Sequence, residues 1–195
     1  MRSQLDFLKN YARDIHVGAI AHSSKYVIRA ALRKIHNKPM NRVIEYGPGD
    51  GVLTRELLIV MPKDGRLLAI ETNPIFLGML RSIDDPRLQV IDGKVQNISK
   101  DLLTGAGSYD LIISSIPFSL IKVADSEKIV HNTYDLLTKT GMFIIFHQYS
   151  HLMSRLMKKY FRSISISFEP RNVWPCFMIC AQKESLLAAN SRSGR

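Results

Sequence analysis

Arg42-Val43-Ile44-Glu45-Tyr46-Gly47-Pro48-Gly49-Asp50-Gly51, followed by Val52-Leu53-Thr54-Arg55-Glu56-Leu57-Leu58, decides the architecture. Arg42 to Tyr46 reads as a short apolar strand. The next five residues read as a glycine-rich turn, and Leu53 to Met61 then carries apolar residues at helical spacing. Strand, turn and helix in immediate succession bring backbone close to a ligand, because glycine has no side chain to stand in the way.

Working outward, Leu67 to Glu71 is a second strand, Ile75 to Ile83 a helix, and Leu88 to Ile91 and Leu111 to Ser114 further strands. A helix is expected over about Ser126 to Thr138, then a fifth strand, Met142 to His147, entered through Gly141. Alternating strands and helices imply crossover connections and a mostly parallel sheet covered on both faces. The C-terminal part differs. Ile164 to Phe168 alternates strictly and Phe177 to Ala181 follows after Pro170 and Pro175, which predicts an antiparallel hairpin at the sheet edge. The fold class is therefore α/β, Rossmann-like, with seven strands.

Three parts are expected in one domain: a helical segment over 1–38, a core over 39–184 and a polar tail over 185–195. In the first, Leu5, Leu8, Ala12 and Ile15 fall at helical spacing, and Phe7 and Tyr11 beside Lys9 and Arg13 suit shallow contact with a membrane. Capping of this core is the competing reading. A second helix starts near Ser23-Ser24, either of which is able to cap it, and turns Tyr26, Val27, Ala30, Ala31 and Leu32 inward.

Composition excludes several classes. The chain is 46% apolar and 23% charged, without an apolar run of the roughly 20 residues that span a bilayer. The N-terminus lacks the apolar core of a secretory signal, which predicts a cytoplasmic protein. Cys176 and Cys180 stand four apart on an expected strand, sharing a face but too distant to bridge, and two thiols make a poor metal site. Core packing is their expected role, and no metal is expected. A net charge of +10 implies attraction to a polyanion, either nucleic acid or an anionic membrane surface.

By itself the Gly47, Gly49, Gly51 spacing also fits dinucleotide enzymes and purely structural turns. Twenty residues beyond Gly51, however, Glu71 ends the second strand, where a carboxylate is able to accept hydrogen bonds from both hydroxyls of a ribose. Glu45 discriminates between cofactors. A carboxylate closing the first strand repels a pyrophosphate but suits a sulfonium that also bears an ammonium group, which favours S-adenosylmethionine.

With these residues in hand, Val43 to Leu57, Ala69 to Pro74 and the later segments resemble a class I methyltransferase. More narrowly, the chain resembles the bacterial phospholipid N-methyltransferases that act on phosphatidylethanolamine, relatives of the rRNA adenine dimethyltransferases. Two stretches carry that likeness: Gly18-Ala19-Ile20-Ala21-His22-Ser23-Ser24, with His22 where the family has proline, and Arg171-Asn172-Val173-Trp174-Pro175-Cys176. What the resemblance implies is a peripheral enzyme of the inner membrane surface, with S-adenosylmethionine held by Glu45, Gly47, Gly49, Gly51, Glu71, Thr72, Asp92 and Ser114. One departure is that Gly93-Lys94-Val95 replaces the family's Gly-Asp-Ala, whose aspartate lies near the adenine.

On the acceptor side, Ser114-Ser115-Ile116-Pro117-Phe118 resembles the Asn-x-Pro-[Tyr/Phe] of adenine-methylating enzymes, with Ser115 in place of the asparagine. A hydroxyl cannot make the paired amide hydrogen bonds that orient an adenine amine. That substitution argues against adenine, and the phospholipid enzymes resemble this form more closely, with a small residue before the hydrophobic-Pro-Phe. Phe118 is expected to wall the acceptor, Tyr149 and His151 to reach its ammonium, and Arg171 to pair a lipid phosphate. Two rivals remain, an RNA adenine methyltransferase and a non-catalytic membrane- or RNA-binding module.

Overall fold

The computed structural model describes residues 24–97, 108–147, 149–171 and 176–183. The expected membrane helix, the tail, and the stretches Gly18 to Ser23 and Asn172 to Pro175 lie outside the described residues. Seven strands form one sheet in the order β3-β2-β1-β4-β5-β7-β6. They are β1 (Arg42–Tyr46), β2 (Arg66–Glu71), β3 (Leu88–Asp92), β4 (Tyr109–Ser114), β5 (Leu137–His147), β6 (Ser163–Glu169) and β7 (Cys176–Gln182). The first five are parallel, and β7 runs antiparallel between β5 and β6, so the expected edge hairpin is present. Strand order reverses between β1 and β4, which opens a crevice at their carboxyl ends.

Helices α1 (Lys25–Ile35), α2 (Val52–Val60), α3 (Pro74–Arg81), α4 (Val123–Leu136) and α5 (Ser154–Met157) connect and cover the sheet. Alternation along β1 sorts the two faces. Val43 packs with α1 and α2, while Ile44 and Tyr46 pack with α4 and α5. Burying a side chain such as Leu57 or Ile112 contributes about 2 kcal/mol, and truncating Leu57 to alanine costs about 2–5 kcal/mol, because the surrounding layer collapses only in part.

Local details depart from the sequence expectation in three places. Helix α1 buries Val27, Ile28, Ala31 and Ile35, a stripe shifted from the expected one, which included the half-buried Tyr26, Ala30 and Leu32. Ser24 sits at its N-cap in extended conformation without a side-chain capping bond. Strand β5 begins at Leu137, directly after α4, so Gly141 lies inside the strand rather than at its entry. A Cβ at Gly141 would approach the Tyr109 carbonyl oxygen to 2.9 Å, beside the register shift between β4 and β5, and glycine is what lets the backbones come that close. Cys176 and Cys180 are buried and unbridged, and burial pushes their thiols up to about 12 and about 11. Among the described residues, no helix is long and apolar enough to cross a membrane.

Candidate active site at the strand tips

The turn after β1 is built by backbone hydrogen bonds. Gly47 N–H donates to the Ile70 carbonyl at 2.9 Å, and Gly51 N–H to the Pro48 carbonyl at 3.1 Å. Gly47, Gly49 and Gly51 take φ of 69°, 59° and 77°, which side-chain-bearing residues rarely adopt. A Cβ on Gly47 would meet Ile116 Cγ2 at 2.6 Å, whereas one on Gly49 would meet no atom of the described residues within 4 Å. The first glycine permits close packing of β1 on the loop after β4. The second leaves a cradle that a side chain would fill.

Glu71 ties the cradle together. Its Oε1 accepts from the N–H groups of Thr72 (2.7 Å) and Asn73 (2.9 Å), and Oε2 accepts from Gly49 N–H (3.2 Å). A carboxylate has about four acceptor positions, so capacity for a ribose hydroxyl remains. Asn73 in turn caps α3 by accepting from Ile75 N–H, with Pro74 in the first helical position. Backbone geometry therefore fixes the carboxylate at the tip of β2.

A cavity of about 220 Å³ opens beside it. Glu71, Thr72 and Gly47 supply one side, and Lys94 and Gln96 after β3 supply polar groups on another. Ile70, Val95, Ile116 and Ile121 give it apolar walls suited to a flat base. Its volume is below the roughly 300–1,000 Å³ of sites that enclose a whole drug-sized ligand, and it adjoins the glycine turn at Gly47. A larger cavity of about 630 Å³, around Arg29, Arg33, His36 and Val60, lies at the other edge of the sheet, where α1 and α2 end. It has neither glycine turn nor carboxylate. The glycine turn and the carboxylate both adjoin the smaller one.

The remaining expected cofactor residues distribute unevenly. Glu45 is buried beneath the turn and accepts from the Thr54 hydroxyl at 2.7 Å; it does not line the cavity. Burial pushes its carboxyl up to about 7 against the opposing Thr54 bond, and the neighbouring charges of Glu71 and Asp50 raise it further. Asp92 closes β3 and is exposed, while the residues just after it, Gly93 and Lys94, line the cavity. Ser114 is buried at the tip of β4, its Oγ accepting from Ile116 N–H at 3.4 Å.

On the acceptor side, Ser115 donates its hydroxyl to the Gly47 carbonyl, and its N–H to the Tyr46 carbonyl at 3.1 Å, locking the loop after β4 onto the glycine turn. Phe118 is buried in the core on the α4 face. Tyr149 is exposed beyond β5, its ring 6.4 Å from that of His147. The His151 ring lies 4.3 Å from the Phe177 ring, tilted by 55°. Arg171 is engaged by Glu169, at 2.7 and 2.8 Å through Nε and Nη2, and lies 5.0 Å over the Tyr26 ring. That pairing holds the Glu169 carboxyl down at about 2.

Sequence reasoning missed His147. It ends β5 opposite Phe177, and both it and His151 have a buried Nδ1 without a hydrogen-bond partner among the described residues. Burial lowers the pKa of His147. The β5–β7 register sets His147 opposite Phe177, whose ring lies 4.3 Å from that of His151.

The sheet order, the glycine turn and the carboxylate at the tip of β2 define the class I S-adenosylmethionine-dependent methyltransferase fold, and the chain is an S-adenosylmethionine-dependent methyltransferase. It is similar to the ornithine lipid N-methyltransferase of Singulisphaera acidiphila, 24% identical over 162 residues that cover 82% of this chain and 84% of that protein. It is also similar to Ribosomal RNA small subunit methyltransferase A of Chlorobium chlorochromatii, 36% identical over 83 residues. That match covers 43% of this chain and 30% of the relative. Among solved structures, the 1,6-didemethyltoxoflavin-N1-methyltransferase of Burkholderia thailandensis, with S-adenosylhomocysteine bound, superposes with a TM-score of 0.67 at 16% identity. It covers 93% of this chain and 87% of its own. No family model matches the chain.

Proposed function

We propose that the chain methylates the primary amine of a polar membrane lipid, either an ornithine lipid or a phosphatidylethanolamine-type headgroup. The similarity to an ornithine lipid N-methyltransferase across most of both chains carries this reading. Ser115 supports it, since its hydroxyl is committed to the Gly47 carbonyl and offers no amide pair to an adenine.

When bound, S-adenosylmethionine supplies an electrophilic methyl on a positively charged sulfur. Glu71 receives the ribose hydroxyls, and Ile70, Val95 and Ile116 hold the base. Glu45 places negative charge beneath the turn when ionised. The amine attacks through its lone pair, so it must arrive unprotonated and in line. The amine's proton passes to solvent or to His151, and the exposed Tyr149 packs against the headgroup.

Incubation with labelled donor and liposomes of ornithine lipid, liposomes of phosphatidylethanolamine, or bulk RNA tests the assignment. Label should enter one of the lipids. The RNA arm is included because the match to a ribosomal RNA methyltransferase reaches 36% identity, and label in RNA alone would overturn the lipid reading.

A further inference from the structure

The loop after β4 and the short turn after β5 lie side by side at the carboxyl edge of the sheet, where the acceptor must enter. Each displays large apolar side chains to solvent. Leu120 is 63% exposed, Val123 79% and Leu152 64%. Tyr149 is also exposed, and a chain of ring contacts from His151 through Phe177 (4.3 Å) to the exposed Phe168 (4.9 Å) extends the surface across β7 to β6. Isolated exposed apolar residues are ordinary, but a group on two adjoining loops beside a binding site marks an interaction surface.

Cations accompany these residues. Lys122 stands between Leu120 and Val123, and Arg155 follows Leu152 by three positions, both exposed. Among the described residues of the first two turns of α4, the acidic groups are Asp125 and Glu127, and Glu127 is paired with Lys159 at 2.9 Å. Apolar tips flanked by basic side chains match a bilayer interface, where apolar groups enter the acyl boundary while lysine and arginine meet anionic headgroups.

We propose that Leu120, Val123 and Leu152, with Lys122 and Arg155, dock this edge of the enzyme on an anionic lipid bilayer. The two loops then act as a wedge that brings a headgroup amine to the strand tips without extracting the lipid. This surface belongs to the sheet's own loops. It deepens the lipid reading under Proposed function and rests on it.

The test uses the full chain carrying Leu120→Ser and Leu152→Ser together, with sedimentation on phosphatidylcholine vesicles containing or lacking phosphatidylglycerol. Wild type should bind the anionic vesicles, and the double variant at least about tenfold more weakly, with unchanged thermal unfolding and unchanged activity on detergent-dispersed lipid. A dye-labelled Leu120→Cys protein gives a second readout; the native thiols are buried, and the probe's emission should shift to the blue on adding anionic vesicles. Equal vesicle binding by wild type and double variant, or a probe that stays in water, would overturn the proposal. Failure of the lipid reading looks different: binding through Leu120 and Leu152 would persist while no lipid, dispersed or in vesicles, acquires methyl groups.

Discussion

Glu45 and Thr54 share a 2.7 Å hydrogen bond beneath the glycine turn, joining the end of β1 to the first turn of α2. Because burial pushes the Glu45 carboxyl up to about 7 from an ordinary 4.5, folding favours its protonated form. The resulting stability is fully present below pH 4.5 and is lost as pH rises through about 7, on the order of 3 kcal/mol in all. Glu45→Gln should remove that slope, leaving donor-free protein more stable than wild type above pH 7, while weakening donor binding. Urea unfolding of both proteins from pH 5 to pH 8 checks this; parallel curves would show that Glu45 ionises freely.

Gly47 and Gly49 share a backbone conformation but differ in surroundings. Alanine at Gly49 costs about 1–2 kcal/mol for its positive φ and meets no atom of the described residues, so its main effect should be loss of donor affinity. Alanine at Gly47 adds a collision with Ile116 and should unfold the chain more readily. Thermal unfolding beside donor titration separates the two, and equal stability losses would contradict the distinction.

Lys94 places a cation on the wall of the 220 Å³ cavity. The donor carries one more positive charge than the demethylated product, so Lys94→Ala should tighten binding of S-adenosylmethionine by about two- to fivefold and leave S-adenosylhomocysteine nearly unchanged. Competition titrations measure the ratio directly. A ratio identical to wild type would mean that the ammonium is fully screened.

The Arg171 guanidinium holds the Glu169 carboxyl at about 2, so the contribution of this pair exists above the ordinary carboxylate range and fades as pH falls through about 2. Arg171→Gln should return the Glu169 carboxyl toward 4.5, which a carboxyl NMR titration reads. A value still near 2 would assign the shift to other neighbours.

Much of the fold was legible because strand and helix periods are local properties. The β1 turn, the crossovers and the final hairpin each follow from residues a few positions apart. Gly141 was misplaced because its close approach to Tyr109 depends on a neighbouring strand. Glu71 was found from its position at a strand end, whereas the enclosure of Glu45 was not, since its partner Thr54 meets it only after the chain has turned. Cavity walls such as Val95 and Ile121 come from loops after different strands, and no sequence spacing relates them. His147 escaped notice for a similar reason: its place opposite Phe177 is set by the pairing of β7 with β5.

Calorimetric titration with S-adenosylmethionine and S-adenosylhomocysteine, on wild type and Glu71→Ala, addresses the site most directly. We predict saturable binding of both ligands by wild type and a loss of at least about a hundredfold in the folded variant, as expected when a carboxylate that accepts ribose hydroxyls is removed. Absence of binding heat for either ligand at millimolar concentration, or equal affinity in the two proteins, would contradict it.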